Sequence, residues 1–123
     1  MDRTFLLLAA VLGFVGVALG AFGAHGLRGR LTPDMLAVFE TGVRYQMYHV
    51  FALLAVSSAI GHLGAARLLS MAGWFFVAGI LLFSGSLYAL ALTSTGLLGA
   101  ITPIGGVAFL IGWACLALFA AAR

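Results

Sequence analysis

Thr41-Gly-Val-Arg-Tyr-Gln-Met-Tyr-His-Val-Phe-Ala-Leu-Leu54 sets a guanidinium, two phenols, an amide and an imidazole where a hydrophobic run begins. Outside this stretch the apolar segments carry almost no ionisable groups. Of the 123 residues, 64% are hydrophobic and 7% charged, whereas a soluble domain is typically about a quarter charged. No soluble fold could cover so much apolar surface. A bilayer core of about 30 Å calls for roughly 20 apolar residues per helix, and four such runs fit here with short connections. The fold class is therefore all-α, an integral membrane four-helix bundle in one transmembrane domain over 1–123, with helices predicted at about 4–24, 33–61, 68–92 and 103–121.

The formal charge of +3 comes from six arginines, with no lysine, set against Asp2, Asp34 and Glu40. The arginines stand singly at segment ends, the pattern of interfacial anchors and topology signals and not of a nucleic-acid patch. With four spans, Arg3, Arg67 and Arg123 share one side, and Arg28, Arg30 and Arg44 the other. The positive-inside rule thus gives no majority. The run from Thr4 to Ala24 is long enough to span, and its regular glycines favour a retained first helix over a cleaved signal segment. Cys115 lies alone in an apolar run and reads as a small hydrophobe.

In the first helix Ala9, Gly13, Gly16, Gly20 and Gly23 recur at alternating steps of three and four. At about 100° per residue they form one narrow stripe. Small-residue faces let membrane helices approach closely, so this stripe is expected to pack on the second or fourth helix. Gly105, Ala108, Gly112 and Cys115 make a similar stripe on the fourth helix. Thr32-Pro33 offers an N-cap followed by proline in the first helical turn, with Asp34 beside it, and sets the start of the second helix. That helix is longer than a span needs, so its first two turns are expected to project into the interface. Phe83-Ser-Gly-Ser-Leu-Tyr88 is the polar insertion of the third helix, and Trp113 and Arg123 are candidate interfacial anchors.

On a helical wheel Glu40, Arg44, Tyr48, Tyr45 and His49 follow one another, in that order, across one side of the second helix. One half of the helix start is polar. Glu40 and Arg44 stand four apart with the acid first, the favoured order for an ion pair. Charges near lipid face a bundle, a water pocket or headgroups. His25, Glu40, Arg44, Tyr45, Tyr48 and His49 are thus the candidates for a polar pocket at the junction of the first two helices. Arg44 suits a carboxylate or phosphate headgroup if Glu40 does not occupy it, and His49 suits proton transfer. No spacing completes a metal site, and no nucleophile elbow, phosphate loop or cofactor fingerprint is present. The sequence supplies no catalytic signature and implies no cofactor.

The chain resembles the YgdD-like family of small bacterial inner-membrane proteins, whose shared domain has no assigned function. The resemblance rests on Gly20-Ala-Phe-Gly-Ala-His-Gly-Leu27, Thr41-Gly-Val-Arg-Tyr-Gln-Met-Tyr-His49, Leu82-Phe-Ser-Gly-Ser-Leu-Tyr88, Thr102-Pro-Ile-Gly-Gly106 and Gly112-Trp113, and covers essentially the whole chain. It implies a multi-pass, four-helix protein of the bacterial plasma membrane and draws attention to His25, Arg44, Tyr45, Gln46, Tyr48 and His49 as motif positions. The leading functional expectation is a non-enzymatic protein that binds a lipid, small amphiphile or membrane partner, a homo-oligomer being compatible with its smooth helix faces. The alternative is a small oligomeric transporter or channel in which Glu40 and His49 handle protons.

Overall fold

A computed structural model describes residues 2–123. Among these the chain forms helices joined by short links, in the order α1 (Arg3–Gly26), α2 (Pro33–Leu63), α3 (Arg67–Gly79), a π-helical turn (Ile80–Ser84), α4 (Gly85–Thr93), a 3-10 turn (Gly96–Ala100) and α5 (Thr102–Ala121). α3, the π turn and α4 run on without interruption as one rod, so four helical rods form the bundle, as the sequence leads one to expect.

The helix ends follow from local chemistry. The Asp2 carboxylate accepts a hydrogen bond from Thr4 N–H at 2.9 Å and starts α1. Thr32 Oγ1 accepts from Met35 N–H at 3.2 Å and starts α2, with Pro33 in the first turn, where its missing N–H costs nothing. α2 runs past Gly61 and stops where Gly64 adopts φ 92°, a conformation that costs glycine little. At 31 residues it is about 46 Å long at about 1.5 Å per residue, well beyond a bilayer core.

Among the described residues three segments are long and apolar enough to cross a membrane: Arg3–Gly23, Arg67–Thr93 and Gly96–Ala121. The sequence leads one to expect four, and α2 falls outside the set because Tyr45, Gln46, Tyr48 and His49 interrupt its apolar stretch. It nevertheless lies antiparallel along the length of α1, from Ser57 Oγ donating to the Asp2 carbonyl at 2.8 Å to Gly23 facing Phe39. α2 therefore crosses wherever α1 does.

The glycine stripe of α1 meets α2: Gly13 faces Val50, Gly16 faces Met47 and Gln46, Gly20 faces Val43 and Gly23 faces Phe39. The stripe of α5 meets the rod, with Gly112 against Phe76 and the Ala72 carbonyl, and Gly105 against the backbone of Phe83. Between them a shared core forms from Phe5, Val50, Leu53, Val56, Ala72, Phe76, Ile80 and Phe109. Outside, α1 turns Phe14 and Phe22 outward, each 78% exposed, the arrangement lipid favours and water does not. The protein is an integral, multi-pass membrane protein.

Candidate functional site

Gln46 is the most constrained polar side chain of α2, 2% exposed in the middle of an apolar helix. Its amide Nε2 donates to the Leu12 carbonyl of α1 at 2.7 Å, and its Oε1 accepts from Tyr88 OH of α4 at 2.6 Å. One side chain thereby ties three elements. It reaches Leu12 only because Gly16 stands opposite, where a Cβ would lie 3.3 Å from the Gln46 amide nitrogen and 2.5 Å from Met47 Sδ.

His49 is held on both ring nitrogens. Its Nδ1 lies 2.7 Å from the Tyr45 carbonyl, which can only accept, and its Nε2 lies 3.0 Å from Trp113 Nε1, which can only donate. The imidazole must therefore be neutral, with its proton on Nδ1. The ring also stacks on Phe109 at 3.6 Å between centroids and 7° between planes. This geometry fastens α2 to α5, and protonating Nε2 would break the Trp113 bond. It also ties Trp113 to α2 while leaving the tryptophan 45% exposed, and Arg123, after the end of α5, lies 5.5 Å from the centroid of the Phe119 ring.

Replacing Trp113 with phenylalanine removes the donor while keeping a ring. We expect a loss of about 1 kcal/mol in stability and a shift of the His49 Nε2 resonance in nitrogen NMR. An unchanged resonance would show that the bond does not form in the membrane.

The π turn sits where α2 and α5 both press on the rod. Gly85 N–H reaches back to the Ile80 carbonyl across the widened turn. Ser84, fully buried, donates to the Gly42 carbonyl at 2.7 Å, and Ser86 donates to the Phe83 carbonyl at 2.9 Å with Thr102 Oγ1 2.6 Å away. Phe83 is turned between Tyr45 and Phe109, with ring centroids 4.7 Å and 5.4 Å distant. Read from the sequence, this rod is one regular helix with its serines on a packing face. A π turn accommodates an extra residue and re-aims the side chains beyond it.

The six side chains expected at one polar pocket are divided among three places. Glu40 and Arg44 line a cleft of about 220 Å³ with Gly20, Phe39 and Val43. Tyr45, Tyr48 and His49 line an aromatic groove of about 440 Å³ with Phe83, Phe109 and Trp113. His25 is exposed at the end of α1 and lines neither. Arg44 turns to Thr41, donating from Nη2 to Oγ1 at 3.2 Å, and not to Glu40 as their spacing suggests. Among the described residues no three His, Cys, Asp or Glu side chains converge as a metal ion would require.

Sequence reasoning leaves Gln46, Tyr88 and Trp113 outside its candidate site. Two signals point to the first two: a lone amide in mid-helix opposite a glycine stripe, and a tyrosine one turn beyond Ser84.

The family described as "Protein of unknown function (DUF423)" matches residues 19–106, which include the cleft, the Gln46–Tyr88 pair and the π turn. The chain belongs to this family. It is 49% identical over 111 residues to the UPF0382 membrane protein YwdK of Bacillus subtilis, covering 90% of each chain. It is 52% identical over 118 residues to a UPF0382 membrane protein of Haemophilus influenzae, covering 95% of this chain and 93% of the other. A UPF0382 membrane protein of Staphylococcus aureus is 47% identical over 114 residues, 93% of this chain and 92% of its own. No solved structure matches. The resemblance read from the motifs is borne out: this is a bacterial membrane protein family to which no reaction is attached.

Proposed function

We propose that this protein is a non-enzymatic membrane protein that binds a phosphate-bearing amphiphile at the junction of α1 and α2, with Arg44 holding the headgroup. The observation that carries this reading is the state of Arg44. It stands well inside α2, about 16 Å from Pro33 along the axis, and is exposed. Among the described residues only the Thr41 hydroxyl accepts a hydrogen bond from it. A guanidinium at the edge of hydrocarbon calls for an anion, and its planar fork suits phosphate oxygens. Gly20, Phe39 and Val43 form the apolar wall beside it.

The buried polar groups argue against catalysis and transport. Every buried side-chain nitrogen and oxygen among the described residues already has a hydrogen-bond partner, the pattern of polar groups that fasten membrane helices together. Below His49, Val50, Leu53, Val56, Phe5 and Phe76 close the bundle with apolar packing, so a proton or ion meets no continuous polar path.

Native mass spectrometry of protein extracted in gentle detergent tests the reading. The wild type should retain phospholipid, and Arg44→Ala should lose most of it, a fall of roughly tenfold for one charge-assisted contact. Arg44→Lys should recover part of the loss. An unchanged lipid profile in Arg44→Ala would overturn the proposal.

A further inference from the structure

Glu40 stands in the same cleft, and its role is unexplained by a lone phosphate. An acid one turn from the phosphate-holding guanidinium would repel an anionic headgroup unless that headgroup brings a positive charge of its own. Glu40 and Arg44 both line the cleft floored by Gly20, one helical turn and thus about 6 Å apart along the axis. Arg44 is turned to Thr41 Oγ1, so the two charges do not satisfy each other. The cleft therefore presents one anion site and one cation site side by side.

We infer that the Glu40–Arg44 cleft selects phospholipids with a primary amine in the headgroup, phosphatidylethanolamine in class: Arg44 receives the phosphate and Glu40 the ammonium. This rests on the reading of Arg44 as a phosphate site. Ethanolamine joins its phosphate and amine by two carbons, a span that one helical turn can bracket. The ammonium donates N–H bonds to a carboxylate, and a charge-assisted bond of that kind is about twice as strong as a neutral one. Choline has no N–H to donate, and glycerol has no charge to offer Glu40.

A lipid fits the site better than a free headgroup because apolar surface continues from it. Val17 and Ala21, neighbours of Gly20 on α1, belong to a groove of about 530 Å³ that also includes Ala10, Gly13, Phe14 and Phe22. An acyl chain can lie along this groove while the headgroup stays in the cleft.

The experiment exposes the whole protein to nanodiscs of equal parts phosphatidylethanolamine, phosphatidylcholine and phosphatidylglycerol, then measures the retained lipids by native mass spectrometry. Wild type should retain phosphatidylethanolamine over the other two by roughly tenfold, the worth of one charge-assisted bond. Glu40→Gln should lose that preference while still retaining phospholipid. Retention by wild type should also fall stepwise through the mono-, di- and trimethylated headgroups, a measurement that needs no variant. Competition by free phosphoethanolamine as effective as that by the lipid would overturn the lipid assignment. A wild-type preference for phosphatidylglycerol, or a preference unchanged in Glu40→Gln, would overturn the amine selectivity and leave Arg44 as a general phosphate site. Absence of any retained phospholipid would remove both readings.

Discussion

Gly105→Ala is expected to destabilise the bundle by about 3 kcal/mol, the upper part of the range for an overpacked site. A Cβ at Gly105 would run into the Phe83 backbone nitrogen, with Phe83 Cα and Cβ 2.7 Å away. A side chain can rotate aside, but the backbone of a packed rod cannot, so α5 would have to move outward. That movement would loosen the stack of His49 on Phe109 and the Trp113 bond that fasten α5 to α2. The neighbouring residue supplies the control. A Cβ at Gly106 would meet only Phe83 Cδ2 at 3.9 Å, an ordinary contact, so Gly106→Ala should be neutral or slightly stabilising, since alanine loses less backbone entropy in a helix. Unfolding in mixed micelles of increasing denaturing detergent measures both. Equal midpoints for the two variants would refute the close approach of α5 to the π turn.

Gln46→Leu is the second large effect, with an expected cost of about 2 kcal/mol for leaving a buried partner unsatisfied. Leucine preserves most of the volume but gives up the bonds to the Leu12 carbonyl and to Tyr88 OH. The Leu12 carbonyl can keep its helical partner, whereas the Tyr88 hydroxyl is left facing apolar surroundings, and an unsatisfied buried donor costs about 1–3 kcal/mol. Interhelical bonds in membranes often measure below this, about 0.6 kcal/mol on average with maxima of about 1.7 kcal/mol. The larger value is expected here because one residue carries two bonds to two different rods. Tyr88→Phe alone should cost about 1 kcal/mol, and added to Gln46→Leu it should cost nothing further or recover part of the loss. Strict additivity in that double-mutant cycle would show that the two side chains do not interact.

The fold was largely legible before the structure. Length and apolarity announce helices in a membrane, Thr32-Pro33-Asp34 announces the start of α2, and the three-and-four spacing of Gly13, Gly16, Gly20 and Gly23 announces a close contact. The candidate site was legible in part. Glu40 and Arg44 do share a cleft, but the polar half of α2 is not one surface. Tyr45 and His49 turn toward α5 while Glu40 and Arg44 stay beside α1, and a helical wheel drawn for one helix contains no information about where its neighbours lie. Gln46 falls outside that polar half, so its place among the glycines of α1 stayed hidden.

Sequence alone determined the solvent, the number of rods and the faces that could approach, because those depend on composition, caps and the period of a single helix. Which face met which neighbour was a tertiary decision. Gly16 admits the Gln46 amide to the backbone of α1, Gly42 and Gly105 bring α2 and α5 against the π turn, and the pairing of Trp113 with His49 fastens α2 to α5. Each outcome depends on backbones approaching closely across residues distant in the chain, a fit that no local periodicity encodes.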